Sequence, residues 1–439
     1  MSPHDFARVA EVAVSLCCAI ALLRSQPPQF PVSRPVAWAA GVLASFAIAA
    51  VASAEVRSAA ARELALVLGL LAIAAVVSRS TLRRHEDVRV AGVAVVATAL
   101  YSAIVLLMFV LAALNGLDNQ PYWLFPGYTN YRLFNHVQTV ALPLVAIAAV
   151  PLFALGAYSR VAAATVAIGV AFVVYVVARG TALAILAGGF FSVILFRKTA
   201  FPFVGRLLVC LAAGVFVGGL LLWGMPLLSG SSLDPSANEL TSDHSRNFLW
   251  KLAVEDMERS PWFGIGPAHY AHYPNPKAAH PHNIYLQIGA EWGLPVLGLL
   301  LGLAVAALIR MAKAVRSCDE PGEAIIGVGL FTALVAVAVD GVVSGNFVMP
   351  VSQVWIAVLI GWSVGWARRQ QSSSRVSHSE VARAKRTFRC VAGVVLASQL
   401  WLCWSIWPEV RDLKAHLQQA HTAVKNPRDN PRFWSHGWF

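Results

Sequence analysis

The 439-residue chain is 58% hydrophobic, only 13% charged, and carries a formal net charge of +12. With a mean hydropathy of +0.64, it lies well outside the composition of a soluble globular domain, which is about 45–50% apolar and about 25% charged. The basic surplus does not indicate nucleic acid, because it is scattered through short connections between apolar runs and forms no stripe with interleaved aromatics.

About twelve such runs, each near the ~20 residues that span a bilayer's hydrocarbon core, follow one another: 7–23, 35–54, 59–78, 90–114, 137–157, 161–178, 180–196, 203–228, 284–309, 324–343, 347–366 and 388–407. Backbone polar groups in lipid are satisfied within a segment only in a helix, so the expected fold is an all-α, polytopic membrane bundle. The first run lacks a small-residue cleavage site and reads as a retained span. Four connections concentrate Arg and Lys: Arg79 to Arg89, Arg197 to Arg206, Arg310 to Arg316, and the Ser-rich linker from Arg368 to Arg386. Counting spans puts all four on one side, which the positive-inside rule makes cytoplasmic. The N-terminus, the Tyr/Asn-rich loop 115–136, the long loop 229–281 and the tail 408–439 then lie outside. The tail's Trp434, Trp438 and Phe439 are expected at the membrane interface. The organisation expected is 1–114, N-terminal spans; 115–366, a core containing the loop 229–281; 367–387, a cytoplasmic linker; and 388–439, a last span with an external tail. The six cysteines, five in predicted spans and Cys318 in a basic loop, read as free thiols.

Polar residues that punctuate this pattern mark the candidate site. GYTNYRLFNHVQTVALPL places Arg132, Asn135, His136 and Gln138 at the external mouth of a span, as an aromatic interfacial belt or as substrate contacts. The stretch 160–198 is long enough to cross twice and has Arg179 at its middle, which predicts a hairpin with a guanidinium at its external tip. In the long loop, SRNFLWKLAVEDMERSP reads as an amphipathic helix opened by Arg246, lying along the membrane and ended by Pro261. The turn WFGIGP then leads to HPHNIYLQIGAEWGLP. There His280 and His282 precede an apolar span, and a neutral imidazole at that boundary can take a proton from a hydroxyl. Asn283 and Gln287, one helical turn apart, could orient the ring or a sugar hydroxyl, or Asn283 could simply cap the helix. A metal site on His282 with His280, His269 and His272 is disfavoured because no carboxylate or cysteine accompanies them at ligand spacing. DGVVSGNFVMPVSQVW forms a short external turn in which Asp340, Ser352 and Gln353 read as packing polarity.

The combination of Ala-Arg179-Gly, Arg246 ahead of Trp250 and the Pro-x-x-Gly-x-Gly turn at Pro261 to Gly266, and His282-Asn283 followed by Gly293 resembles the O-antigen ligase and polymerase superfamily, over roughly residues 120–366. That resemblance implies a metal-independent, cofactor-free inverting glycosyltransferase of the bacterial inner membrane with its active site facing the periplasm. His282 would be the general base. Arg179 and Arg246 would hold the donor's pyrophosphate. Apart from the resemblance, the positions of Asn283, Gln287, His280, Arg132 and Gln138 make them candidate substrate or orienting contacts. The donor implied is a polyprenyl-pyrophosphate-linked glycan; the acceptor is lipid A-core or a pilin or other protein. Ligases often carry a second glycine three residues past the first, where this chain has Val296. NYRLFNHVQTVALPL, VSGNFVMPVSQVW and the extra final span are similar to the protein O-oligosaccharyltransferase branch. A polymerase of the same superfamily is the nearest alternative. A flippase or secondary transporter would need paired broken spans and midplane ionisable residues, and no half-to-half symmetry is visible.

Overall fold

The computed structural model describes residues 2–26, 34–115, 124–128, 130–153, 156–229, 244–370, 378–424 and 430–439. Part of the Tyr/Asn-rich loop, the first part of the long loop (230–243) and most of the Ser-rich linker (371–377) lie outside these residues. Among the described residues there are fifteen α-helices and no strand, so the protein is an all-α polytopic membrane bundle. They are α1 Pro3–Arg24, α2 Arg34–Ser53, α3 Arg57–Ser80, α4 Arg84–Leu114, α5 Tyr131–Ala149, α6 Gly156–Tyr175, α7 Arg179–Phe196, α8 Phe201–Ser229, α9 His244–Arg259, α10 Ile284–Trp292, α11 Leu294–Arg316, α12 Pro321–Asp340, α13 Pro350–Arg369, α14 His378–Arg411 and α15 Leu413–Val424.

Eleven helices are long and apolar enough to cross a membrane, against about twelve runs expected from the sequence. The difference is α5. It has 19 residues, about 28 Å at 1.5 Å per residue, but its first turns carry Arg132, Asn135, His136, Gln138 and Thr139. From Phe134 to Ala149 every residue is buried, because α4, α6, α7, α8, α12 and α13 all pack around it. Its polar residues face protein and not lipid: Gln138 Nε2 and the Thr139 hydroxyl find partners there, while Asn135 Oδ1, His136 Nδ1 and Gln138 Oε1 are buried without a hydrogen-bond partner among the described residues. A second departure is the predicted span 284–309, which breaks at Gly293 (φ 88°) into the nine-residue α10 and the long α11. Leu294 and Pro295 restart the helix, Pro being favoured in the first turn where an N–H is unpaired anyway.

Without a hydrophobic drive between helices in lipid, close backbone approach has to supply packing, and small residues permit it. Gly214 and Gly218 of α8 lie against Ala167, Val170, Ala171 and Val174 of α6, with a hypothetical Cβ at Gly214 only 2.5 Å from the Ala167 carbonyl oxygen. Gly361 and Gly365 do the same on α13 against Ala74, Val77, Ser78 and Thr81 of α3 and the turn after it.

The bundle has two chemically distinct ends. At one, Arg84 pairs with Glu320 and with Glu323 (3.0 Å), Arg369 bridges Asp87 (2.6 Å) and Glu323 (2.7 Å), and Arg316 donates to the Leu195 carbonyl (3.1 Å). These contacts draw together three of the four basic connections and the end of α7 that leads into the fourth. At the other end the N-terminus, the 341–349 turn, the long loop and the C-terminal tail meet: Arg8 of α1 donates to the carbonyls of Val348 (2.9 Å) and Arg432 (2.8 Å). All six cysteines are free thiols.

Candidate active site

The histidine-bearing loop is built on α9 and α10. The amphipathic helix α9 forms where the sequence predicts it, but its apolar side is not simply laid on the membrane. Leu249, Leu252, Ala253 and Met257 pack on Tyr270, Ala278, Leu286 and Ala290, while Phe248 and Val254 remain exposed. Trp250 Nε1 donates to the Pro281 carbonyl (3.1 Å), and the Tyr270 hydroxyl donates to the Leu249 carbonyl (3.0 Å). The WFGIGP turn then folds back on the end of α10, where Ile265 and Gly266 N–H groups take the Ala290 (2.8 Å) and Glu291 (3.1 Å) carbonyls. Those are terminal acceptors left without an intrahelical donor. The two backbones touch, and only glycine permits it. A Cβ on Gly264 would stand 2.3 Å from the Glu291 carbonyl carbon, and one on Gly293 would stand 2.4 Å from the Trp262 carbonyl oxygen. The glycines of the sequence motif therefore lock the loop to α10.

At the head of α10, His282 has φ 53°, a left-handed conformation that a non-glycine residue holds only when its surroundings over-determine it. Its N–H donates to Nδ1 of His280 (3.3 Å), and the two rings lie 4.1 Å apart. His280 is buried at 3% exposure and lies against Gly345, a position that His136 of α5 also faces. The ring nitrogens of His282 take no hydrogen bond among the described residues, and the residue is half-buried. Burial, then Arg246 and Arg132, hold the His282 imidazole down to about 4; burial and its cationic and histidine neighbours hold His280 well below the usual value. Both rings are thus neutral at neutral pH.

Three cationic side chains, all exposed, occupy the first turns of three helices: Arg132 on α5, Arg179 on α7 and Arg246 on α9. Arg246 is close enough to act electrostatically on both His282 and Asp340. The hairpin predicted around Arg179 is present. Its tip is an inverse γ-turn at Ala178 (φ −78°, ψ 72°), with Arg179 N–H on the Val177 carbonyl (2.9 Å) and Val177 itself at φ 53°. For a β-branched residue that φ is an outlier. A buried polar network fixes the start of α7: Thr181 meets Thr139 (3.0 Å), and Thr139 (3.2 Å) and Ser344 (2.8 Å) donate to Asp340. Gly180 leaves room for Asp340, whose Oδ1 would lie 3.2 Å from a Cβ there. In this way α5, α7 and α12 set Arg179 on the same end as the histidines.

Other sequence candidates do different work. Asn283 is the N-cap of α10, accepting from Tyr285 (3.0 Å) and Leu286 (3.1 Å) N–H groups. Gln287 reaches Glu291 (3.4 Å), and Gln138 ties α5 to the Gly169 carbonyl of α6 (2.7 Å). His269 accepts from Val56 N–H (2.9 Å) and His272 binds the Phe439 carbonyl (2.9 Å), so neither turns toward His280. Among the described residues no His, Cys, Asp and Glu group has metal-site geometry.

The tail corrects the sequence reading most. Trp434 and Trp438 are not at a lipid interface but inside the protein, at 4% and 1% exposure, with Trp438 against Ala271 and Ala279 beside the histidine loop. Arg432, buried, pairs with Glu291 (2.6 Å) and Glu63 (3.3 Å), while Asp5 accepts from the Ser435 N–H (2.7 Å) and hydroxyl (2.9 Å). The tail thus bolts α10 to α1 and α3. A charge stranded by removal of its partner costs about 3–5 kcal/mol, so Arg432→Met is expected to lower thermal stability by that order. Adding Glu291→Met should recover most of it in a melting experiment; equal melting of single and double variants contradicts the pairing.

No curated protein matches the chain. Residues 144–301, which hold Arg179, Arg246, His280, His282 and both contact glycines, match the family model described as O-antigen ligase, a stretch of similarity that takes in the histidine loop and the hairpin of this multi-pass membrane protein.

Proposed function

We propose that the protein transfers a glycan from a polyprenyl-pyrophosphate carrier to an acceptor hydroxyl, with inversion at the anomeric carbon. The observation that supports this reading is the neutral imidazole of His282 within electrostatic reach of Arg246 and Arg132, with Arg179 beginning a helix at the same end. His282 accepts the hydroxyl proton as the oxygen attacks the anomeric carbon from the face opposite the diphosphate. The bond from that carbon to the diphosphate oxygen breaks, and its electron pair leaves with the pyrophosphate. Arg179 and Arg246 bind the diphosphate as bidentate partners and stabilise the charge that grows on it. The broken bond drives the reaction, so neither nucleotide nor metal is required. The acceptor is a sugar of lipid A-core or a serine or threonine of a pilin or another protein. The positive-inside rule puts the basic end in the bacterial cytoplasm, hence the histidine end at the periplasmic face of the inner membrane. A transporter is disfavoured because the distinctive ionisable groups gather at one end instead of the midplane.

The test supplies purified protein with a polyprenyl-pyrophosphate glycan, without nucleotide or metal, and offers core lipid and pilin peptide in separate reactions. Inverted product on either one supports the reading and identifies the acceptor. Chain extension of the donor alone makes the protein a polymerase, and no transfer in any arm rejects the proposal.

A geometric consequence concerns Gly345. A methyl group there would stand 2.5 Å from His280 Cε1. Gly345→Ala is therefore expected to displace His280, on which the His282 N–H rests, costing about 1–3 kcal/mol of stability and reducing transfer. Unaltered melting and transfer contradict this placement.

A further inference from the structure

At the basic end, between the close of α7 and the last turn of α11, lies a cavity of about 360 Å³ lined by Ile194, Leu195, Arg197, Thr199, Val315 and Arg316, among others. We infer that it is a binding site for the phosphodiester headgroup of an anionic membrane lipid. Nothing in the proposed glycan transfer uses it, since it lies at the opposite end of the bundle from the histidines.

Its two arginines carry no ion pair among the described residues. The nearby carboxylates that do pair are held elsewhere, Glu320 and Glu323 on Arg84, Asp87 and Glu323 on Arg369, and Glu86 on Arg89, and Asp319, three residues past Arg316, is not paired with either arginine. Among the described residues neither Arg197 nor Arg316 has an acidic partner, and both side chains are exposed. Their positions are built. Arg316 donates Nε to the Leu195 carbonyl (3.1 Å), which seats its guanidinium over the end of α7 with its terminal nitrogens spare. Arg197 turns out of α7 at φ 50°, a conformation unfavourable for a side-chain-bearing residue, and starts the 3-10 turn that carries Thr199. Two guanidiniums and a hydroxyl suit the oxygens of a phosphate. The ligand is a lipid because the cavity adjoins apolar surface on the spans that line it. Phe190, Ile194 and Ile309 are 62%, 51% and 50% exposed, and acyl chains would lie along them. Basic pockets between spans at this membrane level hold anionic headgroups in this way.

The test is competitive lipid retention by the full-length protein, read by native mass spectrometry after equilibration in mixed phosphatidylglycerol and phosphatidylcholine. Phosphatidylglycerol should be retained about tenfold or more over phosphatidylcholine. Combining Arg197→Gly, which also relieves the backbone, with Arg316→Gln should bring the ratio close to unity. Arg316→Lys, which keeps the charge, should retain most of the preference. Equal retention of both lipids by the unmodified protein overturns the inference, as does a preference that survives the double substitution. Loss in the lysine variant equal to that in the double variant also overturns it, by showing that the charge is not what is read. Displacement by soluble glycerophosphoglycerol at the lipid's own concentration overturns the lipid assignment in favour of a free-phosphate site.

Discussion

Replacing His282 by alanine is expected to lower glycan transfer by about 10²–10⁴-fold, the usual worth of a general base, while leaving the KM for the donor nearly unchanged. In the proposed mechanism His282 acts on the acceptor proton and not on the diphosphate, so the loss belongs in kcat. The same residue fixes a pH signature. Burial, Arg246 and Arg132 hold the imidazole near about 4 in the free protein, so kcat/KM should keep its neutral-pH value until the pH falls toward about 4. Binding a diphosphate brings negative charge to the two arginines and favours the imidazolium, which raises the pKa. The acid limb of kcat, which reports the bound state, must then lie at higher pH than that of kcat/KM. Arg246→Gln removes one cation, so it should move the free-protein limb upward toward the ordinary histidine value of about 6.5. Near-normal transfer by His282→Ala, or acid limbs that coincide and ignore Arg246→Gln, would remove His282 from the base's role.

What could be read from the sequence divides along a physical line. Span positions were legible because lipid imposes length and apolarity locally: the hairpin around Arg179, the loop helix at Arg246 and the free cysteines all stand where the composition of their own segments puts them. Features that depend on partners distant in the chain were not. α5 is not among the helices apolar enough to cross a membrane, and it is placed by the six helices that surround it; nothing within 131–149 says which helices those are. The tail's tryptophans carry the same interfacial composition whether they meet lipid or α1; the partner is selected by Arg432, Asp5 and Glu291, more than a hundred residues apart. Asp340, a carboxylate ending an otherwise apolar span, is the packing polarity its segment indicates, buried and accepting from Thr139 and Ser344; that these partners adjoin the start of α7 is what its segment does not say. The break at Gly293 was also visible, as Gly-Leu-Pro inside a supposed helix. Asn283 shows the opposite lesson: of its two readings, the plain N-cap is the one its side chain performs.

The second large effect is expected at Arg179. Arg179→Gln should reduce kcat/KM by about 10²–10³-fold, the loss typical of removing one fixed group that stabilises leaving-group charge. Arg179→Lys should recover only part of this, because an ammonium cannot grip two phosphate oxygens in one plane. The effect should also depend on the leaving group. Binding of a polyprenyl-pyrophosphate competitor should weaken strongly in Arg179→Gln, and that of a polyprenyl-monophosphate much less, since one phosphate leaves fewer oxygens for two guanidiniums to share. Position matters as much as charge. Arg179 follows an inverse γ-turn, and the Thr139, Thr181 and Asp340 network fixes the helix it begins. Thr181→Val keeps the shape but removes a hydroxyl from that network, so it should weaken diphosphate discrimination without removing any cation. Combining it with Arg179→Gln should cost little beyond the arginine change alone, because a guanidinium that is absent cannot be misplaced. Full additivity of the two substitutions, or a competitor profile unchanged by Arg179→Gln, would place the diphosphate elsewhere on this end of the bundle.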